Sequence, residues 1–142
     1  SQLQRYPRML AQRREIIEKY DRAFRPLGIS VLPHRTEKHQ SSGHLYLCRV
    51  PGITQAQRNA IFSEMADRGI ACNVHYIPLP MLTAYRNLGF RMEDFPNALD
   101  FFHNEITLPL HTRLTEEETD YVISVFSEIV KRYCAHADEA LE

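Results

Sequence analysis

One stretch constrains this chain more than any other: Gly69-Ile70-Ala71-Cys72-Asn73-Val74-His75-Tyr76-Ile77-Pro78-Leu79-Pro80. Gly69 closes an amphipathic run. The alternation after it predicts a strand that carries Cys72, Val74 and Tyr76 to an apolar face and Asn73 and His75 to the other. Proline cannot continue a sheet interior, so Pro78 and Pro80 take the chain out of the sheet directly after His75 and Tyr76. An imidazole and a phenol then stand where a rigid element hands over to a loop, a place where functional groups concentrate. By spacing alone, a half-buried strand with a merely satisfied histidine is the commoner outcome, and both readings stay open.

The remaining elements follow from periodicity and punctuation. Leu3, Tyr6, Leu10, Ile17, Tyr20 and Phe24 mark one face of a helix. Pro7 belongs in a first turn, which places the regular helix at 7–24, stopped by Pro26 and Gly28. Ile29 to Pro33 reads as a short extended piece, and the polar segment from His34 to Gly43 as a loop. The clearest strand is 44–50, closed by Pro51-Gly52. Thr54 followed by Gln57 is a capping-box signature for a helix carrying Ile61, Phe62 and Met65 inward and ending at Gly69. A short helix from Met81 to Leu88 ends at Gly89, and another spans 96–104. Residues 105–110 form a third strand, with Pro109 at an edge or an end. Thr115 and Glu118 repeat the capping box, and three consecutive glutamates favour a helix N-terminus. That helix carries Val122, Val125, Phe126, Ile129, Val130 and Tyr133 as a wide apolar stripe. The fold class expected is α/β or α+β, a small sheet of about three strands with long helices packed on it, and strand–helix–strand as the central unit.

At 142 residues the chain fits one domain and can bury a core. Its net charge of −1 and lack of a basic block give no electrostatic footprint for nucleic acid or membrane. Arg5, Arg8, Arg13 and Arg14 read as a solvated helix face beside Glu15 and Glu18. The cysteines, Cys48, Cys72 and Cys134, are odd in number and widely spaced, which favours a reduced, cytoplasmic protein. No apolar run approaches a membrane span. The opening Ser1-Gln2-Leu3-Gln4 lacks an initiator methionine and enters helix-like sequence at once, as expected of a fragment or a processed chain.

The usual chemical signatures are missing. No Gly-rich phosphate loop, CxxC, HExxH or GxSxG occurs. His34, His39 and His44 are spaced in fives, without the tighter spacing and cysteine or acid support that zinc wants, so they read as exposed loop imidazoles. Of the three lysines, Lys19, Lys38 and Lys131, none lies in an apolar setting that would prepare it for Schiff-base work. By its own chemistry the chain is a scaffold with a few presentable side chains.

Several phrases, in order, resemble one family. They are 13–20 on the first helix, His44-Leu45-Tyr46 opening a strand, and Gly69-Ile70 before Val74-His75-Tyr76-Ile77-Pro78-Leu79. Tyr85 to Gly89, Leu108-Pro109-Leu110 and Leu114-Thr115-Glu116-Glu117-Glu118 complete the set. Together they resemble the C-terminal domain of the DegT/DnrJ/EryC1/StrS family, PLP-dependent aminotransferases that aminate nucleotide-linked keto sugars on the fold of the type I PLP-dependent transferases. The resemblance implies that 1–28 is a leading helix from a missing N-terminal domain, 29–134 the C-terminal small domain, and 135–142 a frayed tail. It places the Schiff-base lysine, the other PLP contacts and all catalytic residues in the missing domain, with no metal. It makes His75 and Tyr76 the foremost substrate contacts, with Tyr46 and Tyr85 as weaker ones. Imidazole and phenol can both donate hydrogen bonds to sugar hydroxyls or phosphate oxygens. Glutamate is the implied amino donor and a homodimer the implied assembly.

Where the family often has a second histidine, as His-Tyr-x-Pro-x-His, this chain has Pro80, which removes a donor and stiffens the loop. A non-catalytic regulatory or structural relative, or a freestanding α+β binding module, are the alternatives.

Overall fold

The computed structural model describes residues 2–139. Five helices pack on a three-stranded antiparallel sheet of order β1-β2-β3: β1 (Ser30–Val31), β2 (Tyr46–Arg49) and β3 (Glu105–Leu108). In register, Tyr46 faces Leu108, Cys48 faces Ile106, and Val31 faces Cys48.

Helix α1 (Gln2–Phe24) starts earlier than its proline predicts. Pro7 forfeits a single backbone donor close to the helix end, a loss the surrounding turns outlast. Leu3 is 82% exposed and Tyr6 is exposed as well, so the apolar face expected from Leu3 onward reaches the core only further along. There Ile16, Ile17, Tyr20 and Phe24 are buried. Phe24 meets Phe126 edge-on at 5.1 Å, and Tyr20 meets Tyr46 at 4.9 Å, the tilted geometry that the aromatic quadrupole favours. The loop 34–43 docks on this helix through Gly43, whose φ of 60° disfavours a side chain and where an added Cβ would come within 3.0 Å of Ile17 Cδ1. His34 departs from the exposed loop imidazole expected of it: its ring stacks on Tyr46 at 5.8 Å, and burial lowers its pKa.

Helix α2 (Gln55–Asp67) begins with the expected capping box. Thr54 accepts from the Gln57 N–H, and the Gln57 side chain accepts from the Thr54 N–H. It buries Ile61 and Met65. A short 3-10 turn and α3 (Thr83–Asn87) occupy the segment expected to be one short helix, and α4 (Pro96–Asn104) follows its expected bounds. Helix α5 (Glu116–Glu139) lays Val122, Val125, Phe126, Ile129 and Val130 into the core. Its backbone continues over 135–139, where fraying was expected; the rest of that tail, 140–142, lies outside the described residues. Among the described residues no helix is long and apolar enough to cross a membrane.

The strand expected at 70–77 does not form, so the central strand–helix–strand unit is absent as such. Only Asn73 pairs, in one antiparallel bridge to Thr107 on the outer edge of β3. The third strand is instead β1, from the short extended piece after Gly28. The reason is where the backbone donors go. Val74 N–H donates to the Asn73 side chain at 2.8 Å and His75 N–H to the Glu105 side chain at 3.0 Å, so no carbonyl ladder is left to build. The expected alternation fails with it: Cys72 and Val74 are half-buried, but Tyr76 is 72% exposed and His75 is the one turned toward the protein.

Candidate functional site

The site grows from the single bridge. Asn73 and Thr107 exchange both backbone hydrogen bonds, at 3.2 and 2.8 Å, which sets the 73–75 segment beside the edge of β3. Two residues along each chain, polar side chains meet. Glu105, on the same face of β3 as Thr107, is fully buried. Its Oε2 accepts the His75 N–H and its Oε1 accepts the Thr107 hydroxyl at 2.5 Å. The Thr107 oxygen lies 2.9 Å from His75 Nδ1. A continuous line therefore runs from buried carboxylate through hydroxyl to imidazole. The His75–Tyr76 peptide is cis.

Burial pushes the Glu105 carboxyl above the usual carboxylate range. The hydrogen bonds from Thr107 and the His75 backbone, and the charge of Arg58, pull the other way. Arg58 is itself buried on α2. Its guanidinium sits 5.3 Å from the Phe62 ring centroid and 4.9 Å from that of Phe102, and Nη1 donates to the Phe102 carbonyl at 2.6 Å. Buried ions persist only with partners of this kind.

Sequence reasoning missed Glu105, Thr107 and Arg58. The signal was present: Arg58 falls on the stripe of Ile61 and Met65, where an arginine is out of place. Glu105 and Thr107 are a polar pair two apart in the strand expected at 105–110, matching Asn73 and His75 in spacing.

Of the four expected substrate contacts, the structure brings two together. The Tyr76 ring stands edge-on to His75, centroids 4.8 Å apart at 90°. Tyr85 lies further on, in an apolar hollow with Pro78, Pro80, Phe90 and Phe95. Tyr46 lies elsewhere: it is fully buried, and its hydroxyl donates to Asp21 Oδ1 at 2.9 Å, so it is placed as a core residue with no open face for a ligand. Pro80 contributes an apolar wall to the hollow that Tyr85 shares.

The lysines are poorly suited to hold an aldehyde cofactor. Lys19 Nζ donates to Glu116 and Asp120, each at 2.9 Å, and these bonds raise its pKa, the opposite of what a nucleophilic amine needs. Lys38 and Lys131 are exposed. The residues present therefore do not fit a Schiff base to PLP. Among the described residues no cluster of His, Cys, Asp and Glu is arranged for a metal ion. His34 and His39 instead pair with Ser41 and Thr36 through Nδ1.

Comparison with known proteins bears on the family and the fold. Residues 1–127 match the family model of the DegT/DnrJ/EryC1/StrS aminotransferases. The UDP-4-amino-4,6-dideoxy-N-acetyl-beta-L-altrosamine transaminase of Helicobacter pylori is 32% identical over 122 residues, covering 86% of this chain and 32% of that protein. The spore coat polysaccharide biosynthesis protein SpsC of Bacillus subtilis is 28% identical over 135 residues, covering 92% of this chain and 34% of that protein. Among solved structures, the apo form of Spr1654 from Streptococcus pneumoniae, a candidate sugar aminotransferase, is similar with a TM-score of 0.91. It is 50% identical, with 96% of this chain and 34% of that one covered, and it has also been solved in PLP and PMP forms. The chain spans about a third of the length of these relatives. With the family match running through nearly all of its elements, this chain belongs to the DegT/DnrJ/EryC1/StrS aminotransferase family.

Proposed function

We propose that this chain is the C-terminal part of a PLP-dependent aminotransferase that aminates a nucleotide-linked keto sugar, with glutamate as amino donor. The observation that carries the reading is the family match over residues 1–127, together with a fold shared at 50% identity with a protein solved in PLP and PMP forms. The family resemblance implies that the lysine holding the cofactor lies in an N-terminal domain, and the poor fit of Lys19, Lys38 and Lys131 supports that reading. Bound PLP supplies the electron sink that lets an amine pass between donor and ketone.

The part this chain plays is to close one side of the site and to orient the sugar. His75, seated on Thr107 and Glu105, and the exposed ring of Tyr76 are the groups that meet the sugar nucleotide; Tyr85 and Pro80 form an apolar wall beside them. The exposed apolar side chains Ile77, Leu79, Leu88, Phe90 and Phe95 offer the N-terminal domain a surface to cover. The intact protein is proposed to act as a cytoplasmic homodimer.

The test is expression of the complete reading frame. It is expected to carry the PLP absorbance band and to transfer nitrogen from glutamate to a UDP- or dTDP-linked 4-keto sugar. The 142-residue chain alone is expected to do neither. A complete chain that holds no PLP would overturn the enzymatic reading and leave a regulatory or structural family member.

A further inference from the structure

We propose that Glu105 and Thr107 are positioning residues that hold His75 as its Nδ1–H tautomer, so that Nε2 meets the substrate as a hydrogen-bond acceptor for a sugar hydroxyl and not as a donor to phosphate. The proposal deepens the reading above and rests on it for the statement that His75 faces the sugar nucleotide.

The tautomer follows from counting protons along the line. Glu105 Oε2 takes the His75 backbone N–H, which requires an acceptor there. Its Oε1 lies 2.5 Å from Thr107 Oγ1, the range of a hydroxyl donating to a charged carboxylate. The hydrogen bonds from Thr107 and the His75 backbone and the charge of Arg58 favour that ionised form against the burial that raises the Glu105 pKa, and the proton count holds for the ionised carboxylate. Thr107 has one hydroxyl proton, and it is spent on Glu105. Its oxygen then faces His75 Nδ1 at 2.9 Å with only lone pairs, so Nδ1 carries the proton. A neutral imidazole has no second proton, and Nε2 keeps its lone pair. Among the described residues nothing hydrogen-bonds to Nε2, and it is not among the buried unpartnered atoms. The Asn73–Thr107 bridge fixes the spacing of the two segments, so the arrangement is built into the backbone. A lone pair directed outward attracts a hydroxyl proton and repels an anionic oxygen.

The test starts with the intact protein labelled with 15N-histidine, the His75 signal being identified by its loss in His75→Ala. At mildly alkaline pH the wild type is expected to show a protonated Nδ1 and an unprotonated Nε2. Glu105→Gln is expected to invert this. Its carbonyl oxygen must keep the His75 N–H, which turns its amide N–H toward Thr107, and the Thr107 hydroxyl then donates to Nδ1. Thr107→Ser is expected to keep the wild-type tautomer and Thr107→Val to lose the preference. A wild type protonated at Nε2, or a Glu105→Gln variant with an unchanged tautomer, overturns the assignment.

For the substrate half, Glu105→Gln in the complete enzyme is expected to raise KM for the sugar nucleotide by about three- to tenfold, the worth of one hydrogen bond, and by more than it alters the glutamate half-reaction. Inhibition by free uridine diphosphate is expected to stay the same; tighter inhibition would show that Nε2 faces phosphate and overturn the hydroxyl assignment. The tautomer measurement needs no activity, so its failure leaves the proposed function standing. A confirmed tautomer in a protein that performs no amination would sink the function alone.

Discussion

The buried Glu105 carboxylate accepts the His75 backbone N–H at 3.0 Å, occupying the place that a neighbouring strand's carbonyl would hold in a ladder. This one bond ends the pairing begun at Asn73 and Thr107. It also places an acidic group one hydroxyl away from the imidazole that is proposed to meet the sugar nucleotide. Structure and candidate chemistry share a cause here: the side chain that stops the sheet is the one that orients His75 through Thr107.

Glu105 gives a pH-dependent stability of definite sign. Burial raises its carboxyl above the ordinary value near 4.5, so the folded core tolerates the protonated form better than the unfolded chain does. The stabilising contribution is fully present below the unfolded pKa and lost as pH rises through the raised folded pKa. Glu105→Gln, which carries no charge to bury, is therefore expected to gain stability relative to wild type as pH is raised from about 4 to about 8. Urea unfolding of both proteins at the two pH values checks this. A difference independent of pH would contradict it.

His75→Ala in the complete enzyme is expected to weaken use of the sugar nucleotide more than use of glutamate, because only the sugar is proposed to reach Nε2. Single-turnover measurements separate the two half-reactions. Equal losses in both would make His75 a structural residue.

Tyr46→Phe separates core from site. The ring remains in its cluster with Tyr20 and Phe24, and only the bond to Asp21 is lost. The expected cost is about 0.5–1.5 kcal/mol of stability. KM for the sugar nucleotide should not change, and a rise in it would return Tyr46 to the site.

Thr54→Ala removes one half of the α2 capping box and is expected to cost about 1 kcal/mol. Thr54→Ser keeps the oxygen and should recover most of it. Chemical denaturation of both variants provides the check, and an unchanged midpoint for the alanine would mean that the cap contributes nothing.

What the chain's order of residues determined by itself was whatever depends on near neighbours. The capping boxes at Thr54 and Thr115, the stripe from Val122 to Val130, the bounds of α4 and the stop at Gly69 all rest on groups within a turn or two of one another. Local propensity reaches that far and no further. The 70–77 segment had the alternation of a strand, yet the partner that decided its fate, Glu105, is 30 residues away from His75. Tyr46 likewise looked presentable until α1 and the 34–43 loop covered it with Tyr20, Asp21 and His34. Only the tertiary structure decided which polar side chains would be buried together. A hydrogen bond between distant residues forms when the packed backbone brings donor and acceptor within about 3 Å, and no periodicity along one segment carries that distance.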